Sequence, residues 1–241
     1  DSNRIQYDCN SDGLFRAVFQ LSDELILQDV FTENTLLEGY QSYVVQENIT
    51  INPGVTLTIS EGVKISMPEN GNIIVEGQLI INGTEQNPVE IFPHSSAQDN
   101  RWGAICFNNA TDSSSLYHLK LEGASVGIDP STHKGAISGL NSDILISHGE
   151  IENVFFPIYL EGGSLSINQS SISCDFVCDF INVKGGDAFI EGCTFFGSHA
   201  PDTDAIDLDN VTNGTIIGNK IYDFQGANSD GIDIGENSQN I

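Results

Sequence analysis

Aspartates are the residues whose spacing in this sequence carries chemistry. Ile206-Asp-Leu208 and Ile232-Asp-Ile234 are copies of one another, and Ile181-Asn-Val183 precedes them as a third. Setting the leading isoleucines level superposes Asp179, Asp204 and Asp230, and also Asn182, Asp207 and Asp233. Asp209 and Glu236 lie close by. If the copies stack as neighbouring strands, the carboxylates stand in two files about 4.8 Å apart along each file. Like charges at that distance repel by roughly 3 kcal/mol at an effective dielectric near 20. The fold must answer with raised pKa values, outward splaying or a bound cation. Calcium suits such a column, because it takes many oxygen ligands in flexible geometry, whereas magnesium demands a tight octahedron. Asp204, Asp207, Asp230 and Asp233 are therefore the expected Ca2+ ligands. The competing expectation is plainer: these aspartates keep a solvated face polar and favour the tight turn beside Gly231.

A repeating framework must position them. Ile151, Ile172, Phe195 and Ile221 mark equivalent points of successive units, spaced 21, 23 and 26 residues apart. Leu165-Ser-Ile167, Phe189-Ile190 and Ile216-Ile217 open those units, and Leu116 and Leu121 continue the pattern backwards. That period is too long for a hairpin and fits one turn of a coil made from three short strands. Further upstream, Ile49-Thr-Ile51, Val55 to Ile59 and Val63-Lys-Ile65 alternate apolar and polar residues, with Asn52-Pro53-Gly54 and Glu61-Gly62 as turn signals. The expected fold is all-β, a right-handed parallel β-helix over residues 43–241. Residues 1–42 lack the spacing and are expected to cap its open edge. Residues 93–115 and 123–143 are polar and read as insertions, with the longer loop falling in the 30-residue interval from Leu121 to Ile151.

The stretches "ITINPGVTLTISEGVKI", "IIVEGQLIINGT", "NPVEIFP" and "RWGAICF" resemble the opening rungs of right-handed parallel β-helix proteins of the pectate-lyase-like superfamily, of the microbial surface and secreted type. "NSDGIDIGENSQNI" (Asn228 to Ile241) resembles, more locally, the Asn-Thr-Asp-Gly-Ile-Asp segment of polygalacturonases. That resemblance implies a polysaccharide hydrolase with Asp230 as one catalytic carboxylate. Inverting hydrolysis needs a second carboxylate for the water. The family's Asp-Asp pair, Gly-His-Gly and Arg-x-Lys do not occur in this sequence. "DTDAIDLD" (Asp202 to Asp209) writes the same pattern one unit earlier, as a rung motif would.

Other residue types offer less. Trp102 could stack on a sugar, but a place packed in a corner beside Gly103 is expected. His118, His133, His148 and His199 show no triad spacing and read as separate polar-loop residues. Lys184 and Lys220 do not fall beside the acidic column, which argues against a lyase base. The level positions Gly149, Ser170, Cys193 and Asn219 form an inward column in which Asn219 begins an amide ladder. Cys174 and Cys178 are the expected disulfide, Cys9 a possible pin for the cap, and Cys106 and Cys193 buried thiols. Sequons at Asn48, Asn82, Asn109, Asn168, Asn210 and Asn213 are candidate glycosylation sites.

With 34 acidic and 8 basic residues the formal charge is −26, which opposes nucleic-acid binding and anionic membranes. No apolar run is long enough to span a bilayer. A start at Asp1 without a signal peptide reads as a processed secreted chain, and localisation is expected to be extracellular or at the cell surface. Ile241 reads as level with Ile190 and Ile216, so the coil is expected to continue or to self-associate through an open end. The chain is thus expected to be a non-catalytic acidic surface or structural protein serving adhesion, glycan contact or assembly, with glycans or other surface proteins as partners. The alternative is the N-terminal part of a polygalacturonase-like enzyme.

Overall fold

The computed structural model describes residues 24–174, 176 and 178–241, and the backbone of two short strands before them. Those strands, Gln6–Cys9 and Phe15–Val18, pair antiparallel. Of the cap expected over residues 1–42, residues 1–5, 10–14 and 19–23 and the side chain of Cys9 lie outside the described residues.

The rest is a parallel β-solenoid of about 8 turns. Each turn contributes strands to three files. In one representative turn the first file holds Ile181–Lys184, the second Asp187–Glu191 and the third Thr194–Phe196. Pairing is parallel and in register throughout: Ile158 to Ile181 to Ile206 in the first file, Ile167 to Ile190 to Ile216 in the second. In the third file Leu121, Ile151, Ile172, Phe195 and Ile221 stand level in that order, as their spacing implied.

Alternation explains the strands. Ile206 and Leu208 point inward and are fully buried, while the alternating Asp207 and Asp209 point outward. The same holds for Leu57 and Ile59, and for Leu79 and Ile81. Fully burying one such side chain contributes about 1.5–3 kcal/mol, and the core is a continuous stack of them along the axis. Two turns differ. Ile137–Ser147 and Ile158–Asn168 are single eleven-residue strands that pass through the corner between the first and second files.

Several boundaries differ from the sequence reading. Leu25 and Ile26 already pair with Tyr43 and Val44, so the coil reaches back one turn before residue 43. Ile105–Asn108 and the strand from Ile137 are coil strands inside stretches expected as loops. What leaves the coil is narrower, chiefly the segment 124–136, which folds over the outer face of the first file. There Gly127 packs against Cys106 and His133, and Cys106, Ser138 and His133 are buried. Trp102 is 0 % exposed and donates its indole N–H to the Glu122 carbonyl at 2.7 Å, which places it in a corner, out of reach of a sugar. The Asn240 carbonyl accepts the Gly214 N–H, so Ile241 lies against Gly214 and not level with Ile216.

Gly185 and Gly186 turn the corner with φ of 76° and 77°, the left-handed region that L side chains enter at a cost. A Cβ on Gly185 meets nothing within 4 Å, whereas one on Gly186 would lie 1.9 Å from the Gly163 carbonyl oxygen. Gly185→Ala should therefore cost about 1–2 kcal/mol from strain alone. Gly186→Ala should cost distinctly more, and urea unfolding of the two variants measures the difference.

Candidate functional site

The aspartates sit at the corner that leads from the third file into the first. Backbone N–H groups there have left one ladder and not yet joined the next, so side-chain oxygens of adjacent turns take them up. The N–H groups of Cys178 and Thr203 donate to the hydroxyls of Thr203 and Ser229, one turn further on. In the opposite direction, Asp204 N–H donates to the Asp179 carboxylate at 3.4 Å, and Asp230 N–H to the Asp204 carboxylate at 2.5 Å. Asp179, Asp204 and Asp230 thus form a ladder in which the carboxylates of Asp179 and Asp204 each receive the next turn's backbone N–H. Asn48 and Asn72 do the same work earlier, accepting the N–H groups of Asn72 and Ala104.

The second file of acids follows. Asn182, Asp207 and Asp233 are level on the outer face, as their spacing implied. The Asn182 amide donates from Nδ2 to Asp179 at 3.0 Å and to Asp207 at 2.5 Å, tying the two files together. Its Oδ1 is buried and has no hydrogen-bond partner. Tyr159, one turn before Asn182, is also nearly buried; its hydroxyl reaches Glu161 at 3.3 Å and the Lys134 ammonium lies 4.9 Å from its ring centre.

Burial decides the electrostatics. The Asp207 carboxyl is pushed up to about 7, first by desolvation and then by the charges of Asp209, Asp179, Asp233 and Asp204. Asp204 is also raised by burial, with the Asp230 N–H pulling the other way. Lys184 stands 3.8 Å from Asp209 at the margin. At neutral pH the column therefore carries a carboxyl able to hold a proton, and that carboxyl is Asp207. Asp230, the position implied by the polygalacturonase resemblance, is solvent-exposed. Among the described residues no group of three or more His, Cys, Asp or Glu side chains is arranged to hold a metal ion.

The remaining expected sites fall as follows. Cys174 and Cys178 are buried with their sulfurs 3.4 Å apart. Burial raises the Cys106 thiol to about 12 and also raises Cys193. Asn48, Asn82, Asn109, Asn210 and Asn213 are exposed, and Asn168 is half-buried with its Oδ1 accepting from Ser147. The inward column forms: Ser170 accepts the Gly149 N–H and Asn219 the Cys193 N–H. One grouping was missed. His118 and His148 stack with ring centres 4.7 Å apart. Their separation of 30 residues equals that of Leu121 and Ile151, which was the available signal.

Comparison of the chain with protein-family models, curated proteins and solved structures finds no match. The β-solenoid is therefore established by its strand pairing, and the functional reading rests on the residues above.

A carboxyl whose pKa is higher in the folded than in the unfolded chain stabilises the fold while protonated. For Asp207 that contribution is complete below its ordinary value of 3.8 and is lost as pH rises through about 7. The melting temperature should fall over this window. Asp207→Asn should flatten the fall and leave the variant more stable than the parent at the alkaline end, as thermal melts across pH would report.

Proposed function

We propose that this chain is a non-catalytic, acidic β-solenoid that works outside the cell as a surface or structural element, presenting its outer faces to glycans or to other surface proteins. One observation carries the reading. The carboxylates of Asp179 and Asp204 perform the same backbone-holding task in consecutive turns. A catalytic centre needs a unique constellation, whereas a task repeated turn after turn belongs to a scaffold. The net charge of −26 keeps such an element soluble and directs it toward neutral or cationic partners.

The hydrolase alternative makes a different demand on Asp230. Incubation with polygalacturonate, followed by a reducing-end assay, should show no release above a protein-free control. Release that disappears in Asp230→Asn would overturn the scaffold reading in favour of the hydrolase.

Calcium belongs to this proposal through the outward acids. Asp207 and Asp233 stand level, and Asp207 feels the charges of its acidic neighbours. A hard, oxygen-seeking cation beside Asp204, Asp207, Asp230 and Asp233 would relieve that repulsion. Millimolar CaCl2 at low salt should then raise the melting temperature of the parent, and Asp207→Asn with Asp233→Asn should lose the response. A parent whose melt is identical in CaCl2 and in EDTA removes calcium from the proposal.

A further inference from the structure

The third file turns two columns of side chains outward. In one, Lys64, Glu90, Lys120 and Glu150 stand level in that order, alternate in sign and pair. The other column does not alternate. Glu122 and Glu152 are level and exposed, and among the described residues neither carboxylate forms a salt bridge. Unlike Asp179 and Asp204, they hold no backbone N–H of a neighbouring turn among the described residues. One turn on, Ser173 follows beside Ile172, and after it come Phe196 and Tyr222.

Phe196 and Tyr222 are 47 % and 46 % exposed, with nearly parallel rings whose centres lie 5.7 Å apart. The coil does not need them there, because Ser173 serves the same outward position one turn earlier. Together they form one aromatic block on the surface, able to bury an apolar side chain or to attract a cation. The chain uses the second of these itself. Arg101 stands 5.0 Å from the ring centre of Phe176, and Lys134 stands 4.9 Å from that of Tyr159. At the other end of the column, Glu122 and Glu152 line a groove of about 210 Å³. Through Lys120 and Glu150 it continues into a wider groove of about 810 Å³.

We propose that this column docks a basic, extended polypeptide segment of a partner protein. A lysine or arginine of the segment sits between Glu122 and Glu152, and an apolar side chain packs on Phe196 and Tyr222. The proposal rests on the scaffold reading and gives its partner a chemistry. Spacing narrows that chemistry further. Two turns separate Glu152 from Phe196, about 9.6 Å at roughly 4.8 Å per turn. A segment in polyproline II form returns a side chain to the same face every three residues, about 9.3 Å. The cation and the apolar anchor therefore stand three positions apart. Charge complementarity favours this partner over an acidic glycan, since the chain carries −26 and the column itself carries only carboxylates. Lys220, level with Thr194 beside the aromatic block, can donate to a backbone carbonyl of the segment.

The test uses the whole chain and a fluorescein-labelled peptide containing Lys-Pro-Pro-Phe, read by fluorescence anisotropy. The parent should bind it saturably and more weakly as NaCl rises. A peptide with glutamate in place of the lysine should not bind. Glu122→Gln with Glu152→Gln should weaken binding about fivefold, the worth of two exposed ion pairs. Phe196→Ser with Tyr222→Ser should weaken it about tenfold or more, as loss of an aromatic anchor does. All four positions are exposed, so both double variants should melt like the parent. Lys220→Gln separates the partners: a basic segment should bind as before or more tightly, whereas an acidic glycan would lose its counter-charge. Peptide binding that is absent, or unchanged in both double variants, overturns the proposal. So does binding of oligogalacturonate that disappears in Lys220→Gln. The scaffold reading survives either failure, because it falls only on release of reducing ends.

Discussion

Each turn of this coil can satisfy its backbone only on the turns above and below it. Within the three files the parallel ladder does so automatically. At the corners the strands bend away and N–H groups would be left buried without partners, at a cost of about 1–3 kcal/mol each. Side-chain oxygens from neighbouring turns fill those gaps: Ser114 for the Leu79 N–H, Ser142 for Ala110, Ser170 for Gly149, Thr203 for Cys178. The abundance of Asn, Ser, Thr and Asp in this chain is therefore a consequence of its architecture. So is its glycine, where two backbones approach as closely as those of Gly163 and Gly186.

The aspartates take part in the same economy of partners and complicate it. Asp179 and Asp204 are useful because a carboxylate accepts strongly from an N–H, yet stacking them puts like charges one turn apart. Asn182 eases this by placing an amide between Asp179 and Asp207. No such amide stands between Asp207 and Asp233, which pair directly. Charge accumulates toward that end of the column, and Asp207, partly withdrawn from water, bears most of the strain. Elsewhere the outer face answers by alternation, with Lys64 on Glu90 at 3.0 Å and Lys120 on Glu150 at 2.7 Å.

The coil was legible because its apolar markers recur with little competition. Ile151, Ile172, Phe195 and Ile221 needed only a period, and the same alignment placed Asp204 over Asp230 and Asp207 over Asp233. Short strands were harder to read. Leu25–Ile26 and Val30–Phe31 are two residues each, too brief to show alternation, so the first turn merged with the expected cap. Ile137 was hidden by its polar neighbours in the covering segment, whereas Ile105 lay in the rung-like stretch "RWGAICF" inside a longer run that is otherwise polar. Ile241 was misplaced because the last turn is wider at that corner, where Val211 N–H reaches Ser238. The histidine pair escaped because each was weighed alone; the turn length that aligns hydrophobic residues also aligns polar ones.

The two eleven-residue strands give the coil a splint. Between Ile137–Ser147 and Ile158–Asn168 the register runs from Ile137 opposite Ile158 to Ser147 opposite Asn168, through a corner that other turns break. A fraying front entering from either end meets separate pairings of two to five residues first and then a seam that must open almost at once. Cooperativity is therefore uneven along the axis. The outer turns can breathe and exchange their amide protons singly while the centre stays closed, so the middle of the coil, and not either end, sets how long the whole remains wound.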